Sequence, residues 1–290
     1  MYQEITWNPW KGCVECSDGC LYCQHSALVR ENIGDFRSPI SKKFIKGISR
    51  QELPYKIASG SIIRVCTTSD FFISDADVMR VSAWQFIHER YDCLFHIVTK
   101  RPERIKQCLP DIWFDGWNNV VISVTAETEA EAWNRIPVIL DLPIKHIGIS
   151  IEPMLEEMDI SPFLSSGLIE HVIVGGESYT GYKGIARTLD IKWVRSIQQQ
   201  CKEYNTNFMF NRTGSQFKVE NRKNPIYIRK NDERNLADFY KLNYTDKYVG
   251  SWESTIQDIQ KRHLTEQAYQ VYRQLTLSDL ENEDKDTNGV

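Results

Sequence analysis

The sequence predicts an α/β fold in which six or seven parallel strands form a partial TIM-like (β/α) barrel, followed by a C-terminal helical extension. Two observations predict this fold. After residue 60, short apolar segments rich in β-branched residues alternate with amphipathic segments of helical periodicity. The apolar segments are nearly continuous in character, which is typical of strands covered on both faces, as in parallel sheets. Strands alternating with helices form βαβ units with right-handed crossovers.

The strands are predicted where β-branched and aromatic residues concentrate. A first strand lies near residues 5–7, just before a group of cysteines. The other predicted strands are 62–68, 93–99, 119–125, 146–151, 171–175 and 207–211. Each of these later segments ends in a polar cluster, and barrel enzymes gather their chemistry at the carboxyl ends of the strands.

The helices are predicted between these strands, at 76–90, 102–109, 128–140 and 189–204. In the first helix, four apolar residues recur at helical spacing, namely Val78, Val81, Trp84 and Ile87. In the last helix, a buried stripe is predicted, formed by Ile191, Val194, Ile197 and Cys201.

Three parts of the chain are distinguished by composition. Residues 1–215 are predicted to form the barrel and its N-terminal cysteine loop, with an insertion at 24–61 that covers the site or forms a solvated loop. Residues 216–281 are predicted to pack on the barrel as a helical extension. The apolar positions of that extension are Trp252, Ile256, Ile259, Ala268, Val271, Tyr272 and Leu275. The acidic segment 282–290 is predicted to be disordered.

Composition limits the class of protein. With 290 residues, 41% of them hydrophobic, the chain can fill a sizeable core. No run of about 18 apolar residues occurs, so we expect no membrane span, and the N-terminus does not have the pattern of a signal peptide. Cysteines that are partly clustered and partly scattered fit a reducing cytosol, so we expect a cytoplasmic protein.

Four of the eight cysteines lie within eleven residues: Cys13, Cys16, Cys20 and Cys23. Thiolates at this density repel one another unless a soft cation is bound between them, so the spacing predicts an iron–sulfur cluster or zinc. Two triads are consistent with an open cubane. Cys16, Cys20 and Cys23 form CxxxCxxC, whereas Cys13, Cys20 and Cys23 form a wider triad. Four cysteine ligands would instead close the cluster and make it an electron carrier or a structural device.

The cysteine segment and its flanks resemble the radical S-adenosylmethionine (SAM) superfamily, whose signature is CxxxCxΦC with Φ aromatic. Within it, the chain is similar to a phage-associated radical-SAM-like subfamily with a TWNP…GC…GC..C pattern. The resemblance covers roughly residues 4–215. The matching segments are TWNPWKGC (6–13), DGCLYC (18–23), SDFF (69–72), VTKRPER (98–104), SIEPM (150–154) and VIVGGES (172–178). The subfamily's cysteines correspond to Cys13, Cys20 and Cys23, whereas Cys16 is an addition and Gln24 replaces the usual tyrosine.

The resemblance implies a [4Fe-4S] cluster that reductively cleaves SAM, using an external electron donor. By position, Ser69 and Asp70 are the expected acceptors for the methionine ammonium, and Lys100 or Arg101 would pair with its carboxylate. The superfamily's GGE motif corresponds to Gly175, Gly176 and Glu177 but follows a late strand here. We expect Glu152 and Glu177 to bind the SAM ribose or the substrate, and each has the alternative role of a structural ion pair.

The substrate is indicated only by charge. Between residues 187 and 234 the chain has eleven basic and five acidic residues, although the whole chain has a net charge of −4. Arginine interspersed with aromatic residues is typical of a nucleotide or nucleic-acid surface, and a solvated helix with core aromatics explains the pattern equally well. The competing functional class is a non-catalytic iron–sulfur or zinc protein that binds nucleic acid.

Overall fold

A computed structural model describes residues 4–23, 57–179 and 186–245, together with positions 257 and 261. Seven of its strands form one parallel sheet that curls into a half-barrel, in the order β1-β2-β3-β4-β5-β6-β8. The strands are β1 (Glu4–Trp7), β2 (Ile62–Val65), β3 (Leu94–Thr99), β4 (Val120–Thr125), β5 (His146–Ile151), β6 (Ile169–Gly175), β7 (Leu189–Asp190), β8 (Asn207–Arg212), β9 (Gln216–Lys218) and β10 (Ile226–Tyr227). The predicted partial TIM-like barrel is therefore confirmed.

The strand limits differ from the predicted ones mainly at β2. This strand was expected to continue to residue 68 but ends at Val65. Cys66 has a φ of 56°, and its N–H donates to the Trp7 carbonyl, so the chain turns there. The turn places the polar residues that follow β2 beside the segment that follows β1.

The helices lie between the strands, as predicted. They are α1 (Asp77–Glu89), α2 (Ile105–Cys108), α3 (Glu129–Leu140), α4 (Ser161–Leu164), α5 (Ile191–Glu203) and α6 (Glu233–Phe239). Side-chain caps begin two of them, because Thr128 accepts from the Glu131 N–H and Asp190 accepts from the Lys192 N–H. The stripe predicted for α5 is confirmed, since all four of its residues are fully buried.

The apolar spacing in α1 was only half right. Trp84 and Ile87 are buried, but Val78 and Val81 are 89% and 71% exposed. The buried side of the helix uses Arg80 instead, whose guanidinium donates to the carbonyls of Phe71 and Ile73. An arginine that satisfies buried carbonyls takes the place that the apolar pattern assigned to valine.

The described part of the C-terminal extension packs on the sheet. Strands β9 and β10 are antiparallel, and β9 pairs with β7 in a small second sheet, while α6 lies against β8. At the outer edge of β8, Phe208 and Tyr244 exchange backbone hydrogen bonds. Three predictions lie outside the described residues: most of the 24–61 insertion, the apolar positions from Trp252 onward and the acidic tail. Among the helices that the structure describes, none is long and apolar enough to cross a membrane.

Inside the half-barrel, polar side chains replace part of the usual apolar filling. His96 on β3, Ser123 on β4 and His171 on β6 are nearly completely buried. Ser123 is in register with Gly148 of β5, which is in register with His171. A Cβ at position 148 would overlap both the His171 ring and the Ser123 hydroxyl. Glycine at this position therefore lets the imidazole cross β5 and reach the serine.

We expect Gly148→Ala to lower the free energy of unfolding by about 3 kcal/mol, because the methyl group overpacks this interior. The matched control is Gly167→Ala, which has a φ of +67° but no atom within 4 Å of a new Cβ. Gly167→Ala should lower the free energy of unfolding by about 1 kcal/mol, because it introduces backbone strain alone. Chemical denaturation measures both changes, and equal costs would contradict the close approach at Gly148.

Candidate functional site

The four clustered cysteines lie around one cavity of about 270 Å³. They belong to the cysteine loop (residues 8–23), which follows β1 and contains a short 3₁₀ turn, Asp18–Cys20. The rest of the cavity wall comes largely from the carboxyl ends of β2, β3, β4 and β5. The cavity brings together five of the predicted site residues besides the cysteines: Ser69, Asp70, Lys100, Arg101 and Glu152.

The position of Cys16 differs from that of the other three cysteines. Cys13, Cys20 and Cys23 line the inner cavity, and the electrostatic influence of Cys20 and Cys23 reaches Cys13. Cys16 lines the inner cavity and also an outer pocket that includes Glu15, Ser17 and Glu131. All four cysteines therefore face the inner cavity, and Cys16 differs only in also lining the outer pocket.

The protonation of the thiols follows from their neighbours. The Cys16 thiol hydrogen-bonds to Cys20, which lowers the pKa of Cys20 and raises that of Cys16, and the Lys100 ammonium lowers the Cys20 pKa further. Burial raises the pKa of Cys13 to about 11. Cys20 therefore ionises more readily than Cys13 and Cys16, and the ionised thiolate is the form that binds a metal.

The donor atoms of the site determine which metal group it could hold. In residues 4–23, 57–179 and 186–245, no three His, Cys, Asp or Glu side chains are gathered closely enough to hold a metal ion. The donors nevertheless fit an iron–sulfur cluster in type, because several thiols share the inner cavity. Cys13, Cys16, Cys20 and Cys23 are the residues that would hold such a cluster.

Glu127 is the main connection between the cysteine loop and the sheet. Its carboxylate is 1% exposed and accepts from the Ser17 hydroxyl and the Lys100 ammonium on one oxygen, and from Arg135 at 2.6 Å on the other. Gly19 packs so closely on this carboxylate that a Cβ there would overlap it. Lys100, which was expected to pair with a ligand carboxylate, is therefore already paired within the protein.

Asp70 and Arg101 make a second connection. Asp70 accepts four hydrogen bonds, from the Thr99 hydroxyl, Arg101 and the N–H groups of Phe72 and Lys100. A carboxylate has about four lone-pair sites, so Asp70 is saturated. The second terminal nitrogen of the Arg101 guanidinium, Nη2, donates to the Val14 carbonyl at 2.6 Å.

Ser69 is engaged in a similar way. Its hydroxyl, expected to accept a ligand ammonium, donates to the Gly12 carbonyl beside Cys13. The indole N–H of Trp10 reaches the Asp70 carbonyl at 3.3 Å. The segment after β2 is thereby bonded to the start of the cysteine loop.

Glu177 lies outside the lining of the inner cavity. It is buried and accepts three hydrogen bonds from Arg187, whose guanidinium also donates to the Asp18 carbonyl at 3.0 Å and lies over the Tyr22 ring. This geometry matches the structural ion pair that was the alternative role for Glu177. Through Arg187, the end of β6 supports the far side of the cysteine loop.

Glu152 does line the cavity. Its Oε1 accepts from the Asn211 amide at 2.7 Å and pairs with Arg212 at 3.3 Å. Gly175 lies directly against this carboxylate, where a Cβ would overlap it, and a Cβ at Gly176 would overlap the backbone at Thr213. The two glycines thus allow close packing beside Glu152.

Several residues of the site were not singled out by the sequence. The sequence pattern places Glu127 only in a polar cluster after β4, and it places His96, Ser123 and His171 only at strand positions. A polar residue inside a predicted buried strand was the available signal for these three. Two partners of Glu127 are distant in sequence: Ser17 is 110 residues away and Arg135 is eight residues away. No local pattern links either residue to Glu127.

We expect Glu127→Gln to lower the free energy of unfolding by about 3 kcal/mol at pH 7, because two buried cations lose their counter-charge. Burial alone raises the pKa of Glu127, but Lys100 and Arg135 outweigh burial and hold the pKa below 4.5. The stabilisation is therefore present above the unfolded pKa and is lost as the pH falls through the lower folded pKa. Denaturation from pH 7 to pH 3 should show the difference between the two proteins shrinking.

Glu131→Gln is the control, because Glu131 also pairs with Arg135, at 3.0 Å, but is partly exposed. Glu131→Gln should lower the free energy of unfolding by less than about 1 kcal/mol. A loss for Glu127→Gln that does not depend on pH would show that the ionised carboxylate is not what holds the loop.

Comparison with known proteins gives a family and no activity. No curated protein and no solved structure matches the chain significantly. A family model described as a protein of unknown function, DUF5131, matches residues 1–272 and so spans the sheet, the cysteine loop and every site residue above. The chain belongs to the DUF5131 family.

Proposed function

We propose that this protein is a radical SAM enzyme whose [4Fe-4S] cluster is held by Cys13, Cys20 and Cys23. The observation that carries the proposal is the shared cavity of these three thiols at the carboxyl edge of a half-barrel. That edge is where barrel enzymes hold their reactants. The chemistry that a cluster and SAM supply together is reductive cleavage of a carbon–sulfur bond, with an electron from an external donor.

The residues around the cysteine loop have a supporting role in this proposal. The loop is bonded to the carboxyl edge through Ser69, Arg101, Glu127 and Arg187. These contacts fix where the thiols stand relative to the cavity, which is the precision that a reactive centre needs. We therefore assign Ser69, Asp70, Lys100 and Arg101 to holding the loop.

Glu152 is the carboxylate best placed to contact a ligand, because it lines the cavity whereas Glu177 does not. The remaining polar wall comes from hydroxyl groups and an imidazole, and most of it is shielded from solvent. Shielding protects reactive intermediates from water.

A nucleic-acid substrate has weaker support than the charge count alone indicated. Four of the eleven basic residues between 187 and 234 are paired with carboxylates: Arg187 with Glu177, Arg195 with Glu220, Arg212 with Glu152 and Lys218 with Asp190. Arg222, Lys223 and Arg229 are exposed. A nucleotide or nucleic-acid substrate remains a proposal that rests on these exposed cations.

The test is anaerobic reconstitution with iron and sulfide, followed by electron paramagnetic resonance with and without SAM. We expect a cubane signal that SAM perturbs, and 5′-deoxyadenosine or another SAM fragment after reduction with dithionite. A colourless protein with stoichiometric zinc would contradict the proposal and support the non-catalytic alternative. A cubane signal that is insensitive to SAM would indicate a closed cluster.

Single cysteine variants identify the ligands. We expect Cys13→Ala, Cys20→Ala and Cys23→Ala each to abolish cluster binding, because each removes one of three iron ligands. Cys16→Ala should retain the cluster, since Cys16 also faces the outer pocket. The control is Cys66→Ala, which lines the same cavity but lies outside the cysteine loop. Iron content and absorbance report the outcome, and loss of the cluster in Cys16→Ala with retention in Cys13→Ala would reverse the assignment.

A further inference from the structure

The arginines at the carboxyl edge of the half-barrel differ in how fully the protein uses them. Arg101, Arg135 and Arg187 each pair with a carboxylate within 2.9 Å and also donate to a backbone carbonyl. Arg212, at the end of β8, is 41% exposed and pairs with Glu152 through its Nε at 3.3 Å. Its guanidinium makes no hydrogen bond to any residue that the structure describes. Arg212 therefore keeps its donors available.

Arg234, in the first turn of α6, lies beside the same carboxylate. Its Nη2 donates to the Asn211 side-chain oxygen at 3.3 Å, and the Asn211 amide nitrogen donates to Glu152 Oε1 at 2.7 Å. Arg212 pairs with that same Oε1. One carboxylate and one amide thus bring two guanidinium groups together beside the inner cavity, which Glu152 lines.

The charges at this place do not cancel. Arg234 is exposed and pairs with no carboxylate of the residues that the structure describes, so Arg212 and Arg234 share Glu152 alone. The Glu233 carboxylate is buried and accepts from two serine hydroxyls, and the exposed Asp232 pairs with neither arginine. One positive charge is therefore left without a counter-charge.

The donor pattern indicates an oxyanion as the missing partner. A guanidinium has about five N–H donors in a planar fork, and the two arginines together use only one in a hydrogen bond within the described chain. A single arginine satisfies a carboxylate through one fork. A phosphate monoester has three acceptor oxygens and nearly two negative charges at pH 7, which two forks can share.

We propose that Arg212 and Arg234 bind the phosphate group of a phosphate monoester, with Asn211 and Glu152 as positioning residues for the two guanidinium groups. The rest of the ligand then lies on the side of the inner cavity. There Glu152 Oε2 makes no hydrogen bond to the described residues and can accept one from a ligand hydroxyl. Identifying this ligand as the substrate rests on the proposed radical SAM function. Phosphate binding itself needs neither iron nor SAM.

The first experiment titrates the full-length, iron-free protein with inorganic phosphate at constant ionic strength, followed by isothermal titration calorimetry. We expect saturable binding that Arg212→Gln and Arg234→Gln each weaken at least about tenfold, because each removes charge-assisted hydrogen bonds. Arg222→Gln is the matched control, since it removes the same charge from an exposed position of the same basic stretch. Its affinity should equal that of the parent. No saturable binding in the parent, or an equal loss in the control, would overturn the proposal.

Lysine variants separate two planar forks from diffuse positive charge. Arg212→Lys and Arg234→Lys keep the charge but remove the fork, so each should weaken phosphate binding at least about threefold. Both positions are exposed, so we expect the variants to fold, and circular dichroism checks this. Parent affinity in both lysine variants would overturn the role of the forks.

The second experiment compares inorganic phosphate with glycerol 3-phosphate and glycerol. We expect glycerol 3-phosphate to bind at least about threefold more tightly than phosphate, because its hydroxyl groups add a hydrogen bond to Glu152. Glycerol alone should not bind. Equal affinities for the two anions would identify free phosphate as the ligand and overturn the monoester assignment, and binding of glycerol alone would overturn the phosphate as the recognised group.

The two proposals fail in different experiments. Phosphate binding is measured without a cluster, so its absence leaves the radical SAM activity to the reconstitution test. A reconstituted protein that does not respond to SAM would leave phosphate binding in place but overturn the identification of the ligand as a radical SAM substrate.

Discussion

The buried carboxylate of Glu127 is the interaction on which the arrangement of the site depends. It follows β4, the central strand of the half-barrel, and it joins the cysteine loop to the end of β3 through Ser17 and Lys100. Arg135 supplies a second positive charge from α3. An ion pair of this kind contributes little net stability when compared with apolar residues of the same shape. Its contribution is positional, because it requires the loop, the sheet and the helix to meet in one geometry.

The same reasoning applies to the other charged residues around the cysteine loop. Arg101 pairs with Asp70 and Arg187 pairs with Glu177, so these cations also hold parts of the backbone together. Paired charges of this kind hold the backbone of the site firmly in place.

The sequence was sufficient to predict the sheet, because β-branched segments separated by amphipathic ones allow few other topologies. It was also sufficient to predict that five residues lie at one edge of the sheet, namely Ser69, Asp70, Lys100, Arg101 and Glu152. The bonding of these residues could not be predicted, since Asp70 looks the same in sequence whether it is saturated or free. The contact between His171 and Ser123 depends on Gly148, whose missing side chain matters only once β4, β5 and β6 are in register. Periodicity predicts a buried stripe that includes Val78 and Val81, because it does not show that Arg80 will occupy the buried face instead.

The contact between Phe208 and Tyr244 has a consequence for self-association. An edge strand of a parallel sheet displays unpaired backbone groups that another chain can add to. Here the segment at Asn243 and Tyr244 occupies the outer side of β8, with the Asn243 side chain accepting from the Phe210 N–H. These contacts occupy the backbone groups of Phe208 and Phe210, so a second molecule cannot add a strand at this part of β8.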